Sequence, residues 1–165
     1  MPIPGGATIS QPTTVLMMTQ ALEVKPGQKI LEVGTGSGYQ AAILSKLVGT
    51  KGKIITTEIV KQLEDYARSN LRKANIKNVI IIHTDGSQGY EQEAPYDRII
   101  VTAACPHVPE PLVAQLKEQG ILIAPVGSRH SQELLKIKKS KGKLTTENLG
   151  SFMFVPLKGK FGFES

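Results

Sequence analysis

The chain has 165 residues, 40% hydrophobic and 21% charged, a balance that predicts one globular domain over residues 1–165 rather than a disordered segment. Its single cysteine, Cys105, excludes an intramolecular disulfide and a zinc site built on several thiolates, and fits a reducing, cytoplasmic compartment. Twenty Lys and Arg against fourteen Asp and Glu leave a net charge of +6, which permits attraction to nucleic acid or to acidic substrates without selecting either.

Taken in chain order, Met1–Gly6 has neither the basic start nor the apolar stretch of a secretory signal. A helix is predicted from about Pro12 to Leu22, with Val15, Met18 and Leu22 on its apolar side. Short β-branched runs follow at Lys29 to Val33, Lys53 to Thr57, Val79 to Ile82, Arg98 to Thr102 and Ile121 to Ala124. Most are apolar at consecutive positions, as in strands of a parallel sheet covered on both faces. Between them come helical stretches: a short one through Ala42, Leu44 and Val48, one with a stripe of Leu63, Ala67, Leu71 and Ala74, and a third from Pro109 through Leu116. Gln132 to Lys138 and Leu144 to Val155 read as two strands joined by a lysine-rich turn. No run is long and apolar enough for a membrane span. The predicted fold is α/β: a Rossmann-like, doubly wound sheet, mostly parallel with an antiparallel C-terminal part, and helices on both faces. The lysines around Ser140-Lys141-Gly142 read as a solvated hairpin tip; no aromatic residue interleaves with them, so nucleic acid is not an expected partner.

The informative stretch is Ile30-Leu31-Glu32-Val33-Gly34-Thr35-Gly36-Ser37-Gly38-Tyr39-Gln40, which leaves a strand, makes a glycine-rich turn and enters a helix. Such a loop lets a ligand approach the backbone, and the helix start offers free N–H groups. A dinucleotide fingerprint would need glycine where Tyr39 stands. Gly34, Gly36 and Gly38 behind Glu32 instead resemble the first motif of S-adenosylmethionine-dependent methyltransferases. Glu58 closes the second strand, where a carboxylate can accept both ribose hydroxyls of a nucleoside. Asp85-Gly86 follows the third. Alone, one reads as a solvated acid and the other as a turn dipeptide; three acids at the ends of consecutive strands point to one nucleoside site.

Other chemistries find less support. The position after the fourth strand reads Val101-Thr102-Ala103-Ala104-Cys105-Pro106, without the Asn/Asp-Pro-Pro-aromatic motif of enzymes that methylate base amino groups. Cys105-Pro106 reverses the Pro-Cys pair of cytosine C5 enzymes, and Cys105 reads as a small loop or core residue. His83, His107 and His130 stand in unrelated segments and read as structural or solvated.

Over nearly its whole length the sequence resembles the protein-L-isoaspartate O-methyltransferase family. The match is carried by Ala7-Thr8-Ile9-Ser10-Gln11-Pro12, the glycine loop Leu31 to Ala41, Gly86, Glu93-Ala94-Pro95-Tyr96-Asp97, Ile99 to Ala104, Pro125-Val126-Gly127 and Phe154-Val155-Pro156-Leu157. The resemblance implies transfer of a methyl group from S-adenosylmethionine, leaving S-adenosylhomocysteine, to the α-carboxylate of L-isoaspartyl residues in damaged proteins. It implies Ser10 as the active-site hydroxyl, with Ala7, Thr8 and Ile9 framing substrate and cofactor. Glu32, Gly34, Thr35, Gly36, Ser37 and Gly38 would hold the methionine part, Glu58 the ribose, and Asp85 and Gly86 the adenine region, with Thr102 also binding the cofactor. Val155, Pro156 and Leu157 would form the peptide wall. From composition alone, Thr8 and Ser10 read as helix-capping residues. No metal is expected. The expected partners are isoaspartyl peptides and proteins, met by a monomer. Family members usually carry a further N-terminal helical segment, which this chain is expected to lack, and His107 stands where an acid is common. An RNA or small-molecule methyltransferase, a cofactor-binding but inactive remnant and, third, an oxidoreductase stay open at this point.

Overall fold

Seven strands form one sheet in the order β3-β2-β1-β4-β5-β6-β7: β1 (Lys29–Val33), β2 (Lys53–Glu58), β3 (Val79–His83), β4 (Tyr96–Val101), β5 (Leu116–Gly127), β6 (Gln132–Ser140) and β7 (Lys143–Phe152). This computed structural model describes residues 1–164. β1 to β5 pair in parallel, while β5–β6 and β6–β7 are antiparallel, as the sequence pattern predicts. The helices are α1 (Pro12–Leu22), α2 (Tyr39–Val48), α3 (Lys61–Lys73) and the short α4 (Glu110–Ala114).

The consecutive apolar residues of the central strands divide between two cores. Leu31, Val33, Ile55, Ile99, Val101 and Leu122 pack with Leu112 of α4 on one face. Ile30, Ile54, Ile100 and Ile123 pack on the other with Met18 and Leu22 of α1 and Leu44 and Val48 of α2. Both faces are therefore covered by helix, which is why these strands show no polar alternation. At the end of α1 the buried Arg98 guanidinium takes up the last carbonyls, with Nε 2.7 Å from Leu22 O and Nη2 3.0 Å from Glu23 O. A cation at a helix C-terminus satisfies those orphan acceptors and complements the dipole. It pins α1, and hence the segment leading into it, to β4.

Two expectations are corrected. The helix expected from Pro109 through Leu116 stops at Ala114, and Leu116 opens β5 opposite Tyr96. Gln115 turns the chain there: its backbone carbonyl accepts from Tyr96 N at 2.8 Å, and its side chain bridges Tyr90 N and Gln88 O. These long-range bonds override the local helical spacing. β3 is not buried on both faces, because it is the sheet edge; Ile80 is 40% exposed. In the lysine-rich hairpin, Lys141 (φ 52) and Gly142 (φ 71) form a solvated tip. Lys136 pairs with Glu23 at 2.9 Å and Lys139 Nζ donates to the Val113 and Leu116 carbonyls. Part of the cluster is thus structural.

Candidate active site

A cavity of about 780 Å³ opens at the carboxyl ends of β1, β2 and β4, the place where such sheets take their ligands. Its floor begins where β1 runs into the glycine loop. The N–H groups of Gly34 and Thr35 both donate to Thr57 O, at 3.0 and 3.1 Å, so the loop folds back over β2. Gly34 has φ 96, and a Cβ there would lie 2.7 Å from Thr102 Oγ1. The close approach is used: Thr102 Oγ1 lies 2.7 Å from Gly34 O, bracing the loop against β4. Glycine is needed here twice over, for the conformation and for the space.

Two carboxylates reach this floor by different means. Glu58 is tied into the backbone: its Oε2 accepts from Gly36 N, and its Oε1 accepts from Ile59 N and Val60 N, each at 3.0 Å. It thereby joins the loop after β1 to the turn after β2. Glu32 has no exposed surface. Its Oε1 accepts from Thr56 Oγ1 at 2.6 Å, so Thr56, with one proton to give, must accept from Thr35 Oγ1 at 2.7 Å. Glu32 Oε2 has no hydrogen-bond partner among the described residues. Burial pushes the Glu32 carboxyl up to about 8, against the Thr56 hydrogen bond and with a further push from the Glu58 charge. An orphaned buried oxygen beside a cavity is a group waiting for a donor or a cation.

The opposite wall is made by the two ends of the described chain. Residues 1–10 form a small flap, closed by Ile3 N to Ala7 O and Ile9 N to Met1 O, both 3.0 Å, with Gly5 (φ 75) and Gly6 (φ 74) at its tip. Ala7, Thr8, Ile9 and Ser10 all border the cavity, facing Val155, Pro156 and Leu157. The latter stretch is held by Ala104, whose N–H donates to Val155 O at 2.7 Å and whose carbonyl accepts from Leu157 N at 2.8 Å. The residue capping α1 is Gln11, without a side-chain bond, so the Ser10 hydroxyl is not spent as a helix cap.

Of the residues given a catalytic, cofactor-binding or substrate-binding role in the sequence, all but Gly38 and Asp85 border this cavity. Gly38 (φ 86) precedes α2, and a Cβ on it would press on Leu71 Cγ at 3.3 Å, so it lets α2 pack on α3. The Asp85 carboxylate is engaged elsewhere, by Ser87, Gln88 and Lys160. Arg129, Lys158 and Phe163 border the cavity and escaped the sequence reading. They lie far along the chain, in a loop and a tail whose composition carries no motif. Cys105 is buried and its thiol is pushed up to about 12 by burial, which makes it inert. No histidine borders the cavity, and no cluster able to hold a metal occurs among the described residues.

Comparison with known proteins decides the family. Residues 1–162 match the model of the protein-L-isoaspartate(D-aspartate) O-methyltransferase family. The chain belongs to that family. It is 47% identical over 164 residues to a protein-L-isoaspartate O-methyltransferase of Methanoculleus marisnigri, covering 99% of this chain and 73% of that protein. A Methanosarcina mazei relative of the same name is 51% identical over 159 residues, 96% of this chain and 65% of its own length. A Plasmodium falciparum structure described as a putative protein-L-isoaspartate O-methyltransferase in complex with S-adenosyl-L-homocysteine superposes with a TM-score of 0.85. That match has 31% identity and covers 96% of this chain and 79% of that one. The chain therefore spans 65–79% of the length of these three proteins. Members of this family are S-adenosylmethionine-dependent methyltransferases, and the residues present fit that cofactor. It carries a sulfonium and an ammonium, and the floor offers Glu58 and the orphaned Glu32 Oε2. Among the described residues no helix is long and apolar enough to cross a membrane.

Proposed function

We propose that this chain transfers a methyl group to the α-carboxylate of L-isoaspartyl residues in proteins, using the cavity as a single site for donor and acceptor. The observation that carries this reading is how the polar side chains divide. Glu32 and Glu58 lie at the glycine-loop floor, Glu58 tied to backbone N–H groups and Glu32 held through one oxygen by Thr56, and Glu164 lies at the end of the C-terminal segment, while the flap offers hydroxyls, those of Thr8 and Ser10, beside the apolar side chains of Val155, Pro156 and Leu157. An acceptor that must lose a proton would need a base near it. A carboxylate needs none, being ionised at neutral pH.

S-adenosylmethionine, when bound, supplies a methyl group on a positively charged sulfur. Glu32, Glu58 and the Gly34–Ser37 loop hold and orient it, and Thr102 keeps the loop in shape. Gly86 lies under the nucleoside region, and a Cβ there would crowd Val33 Cγ1 at 2.9 Å. Ser10 would donate a hydrogen bond to one oxygen of the acceptor carboxylate and so fix the direction of the other. Ala7, Thr8 and Ile9 set the distance, while Val155, Pro156 and Leu157 take the peptide and exclude water. Alignment of this kind can supply about 7–11 kcal/mol of the barrier. The ester then closes to a succinimide without the protein's help, which returns the site towards normal aspartate. The working unit is a cytoplasmic monomer of one domain.

The test is the chemical nature of the product. An isoaspartyl peptide incubated with the protein and donor should gain a methyl ester that mild base removes as methanol, with succinimide appearing in step. A base-stable methylated peptide would contradict the assignment.

A further inference from the structure

Helix α1 carries the flap. Ser10 stands two residues before Pro12, its first residue, so the direction of the helix sets where the hydroxyl lies. The start of α1 has little of its own to hold it. Gln11 caps it without a side-chain bond, no acid stands in its first turn, and Val15, Met18 and Leu22 are its buried residues. Leu22 lies at the far end, where Arg98 takes up the last carbonyls. The first two turns need an anchor from outside the helix.

Gln40 supplies one. It stands in the first turn of α2, directly after the glycine loop, is only 7% exposed, and borders the cavity together with Val15 and Met18. Its Nε2 donates to Thr19 Oγ1 at 2.9 Å. The Thr19 hydroxyl donates in turn to Val15 O, one turn back along α1, at 2.7 Å. With its one proton spent there, Thr19 can only accept from Gln40, which fixes the amide with its nitrogen towards α1. Around this pair the two helices meet through apolar side chains such as Met18, Leu22 and Leu44. A polar contact in such surroundings selects one register of the helices, where apolar packing alone tolerates several. The loop at the donor floor and the helix that carries Ser10 are thus tied to each other at Gln40.

We propose that Gln40 is a positioning residue for methyl transfer: acting through Thr19, it sets α1, and with it the Ser10 hydroxyl, in register with the glycine loop. Its effect on turnover rests on the proposed role of Ser10; the tie itself belongs to the unliganded protein and can be tested without donor or acceptor.

Gln40→Met is the informative variant, because it keeps the bulk and leaves the Thr19 hydroxyl on Val15 O, so no polar group is stranded. A misplacement of about 1 Å can slow an aligned reaction by about a hundredfold. Gln40→Met should therefore lower kcat for an isoaspartyl peptide by about tenfold or more, while S-adenosylhomocysteine affinity stays within about twofold. Thr19→Val should lower kcat at least as much, since it leaves the buried Gln40 amide without its acceptor. Thr19→Ser, which keeps the hydroxyl, should keep kcat near the wild-type value. The double variant of Gln40→Met and Thr19→Val should be no slower than the slower single one, because both break the same contact. In the unliganded protein, the amides of Val15 to Met18 should exchange hydrogen about tenfold faster in Gln40→Met, with those of β1 unchanged. Unchanged exchange or unchanged kcat in Gln40→Met, a fall in donor affinity that matches the fall in kcat, or additive losses in the double variant would overturn the proposal. Should Thr19→Val fail to fold, Gln40→Met and Thr19→Ser decide by the same readouts. If the wild-type protein methylates no isoaspartyl peptide, the proposed function fails, and hydrogen exchange in Gln40→Met alone judges the tie.

Discussion

The two sides of the cavity are built in opposite ways. The glycine-loop side comes from one continuous stretch, residues 32–58, in which a strand, a turn, a helix and a second strand bring Glu32 and Glu58 together with backbone N–H groups. The flap side is assembled from residues 7–10 and 155–164, the two ends of the described chain, and sets the hydroxyls of Thr8 and Ser10 and the charges of Lys158 and Glu164 around an apolar wall. The first side is electrostatically specialised for a cation and braced by short hydrogen bonds. The second, which the proposed function gives to the peptide, is held by backbone pairing to Ala104 and by the Asp85 contact. On the proposed reading, a donor common to many enzymes meets local, rigid structure, and the particular acceptor meets segments joined only in the fold.

If that division is right, damage on one side should change donor binding and damage on the other should change turnover. Glu58→Ala should have the largest effect. It frees three backbone N–H groups of a charged acceptor; with water taking up the freed groups, a net loss of about 1.5–3 kcal/mol should appear in calorimetry as S-adenosylhomocysteine affinity falling by roughly 100-fold. A loss of turnover with affinity intact would break the comparison.

Glu32 sharpens it through pH. With its carboxyl at about 8 in the free protein, it is neutral below that pH, and a cationic ligand favours the ionised form. Donor affinity should therefore rise by up to about tenfold per pH unit from pH 6 to 8, with proton release on binding. The same raised pKa means that the folded state holds a proton the unfolded chain has lost between about 4.5 and 8. Stability of the unliganded protein should thus fall as pH rises through that window. Glu32→Gln should flatten both profiles, by titration calorimetry for binding and by thermal melts for stability; unchanged profiles would remove Glu32 from the account.

On the flap side, Ser10→Ala should lower turnover of an isoaspartyl peptide about tenfold, the loss of one hydrogen bond to a charged group, and leave donor affinity where it was. Equal losses in both would place Ser10 on the donor side. The smallest effect is expected far from either side. Lys141→Ala, at the solvated tip between β6 and β7, and Lys143→Ala, at the exposed first residue of β7, should shift stability by no more than about 0.5 kcal/mol. They should also leave turnover unchanged, and a steep salt-dependent loss of binding would instead mark that tip as a contact for a polyanion.

The same contrast explains what could be read from the sequence. β1, the glycine loop, α2 and β2 follow one another along the chain, so hydrophobic periodicity and glycine spacing announce both the structure and its acids. The antiparallel C-terminal hairpin was legible from its turn residues. Residues 7–10 and 155–157 were recognisable by their likeness to the family, not by any periodicity. What escaped depended on distant contacts. Gln115 ends α4 early by bonding to Tyr90 and Gln88. Ile80 is exposed because β3 lies at the edge. Gly38 serves helix packing against Leu71. Asp85 stands where a strand-end acid is expected to meet the nucleoside, yet a tail some seventy-five residues later takes up its carboxylate; nothing in the local sequence carries that information.

The most direct measurement is methyl transfer from labelled S-adenosylmethionine to an isoaspartyl peptide and to its twin with a normal aspartyl residue at the same position. The account predicts transfer to the isoaspartyl peptide and none above background to the twin, because the flap and the Val155–Leu157 wall admit a carboxylate only in the geometry that the rearranged backbone presents. Equal labelling of both peptides, or of neither while S-adenosylhomocysteine still binds, would contradict it.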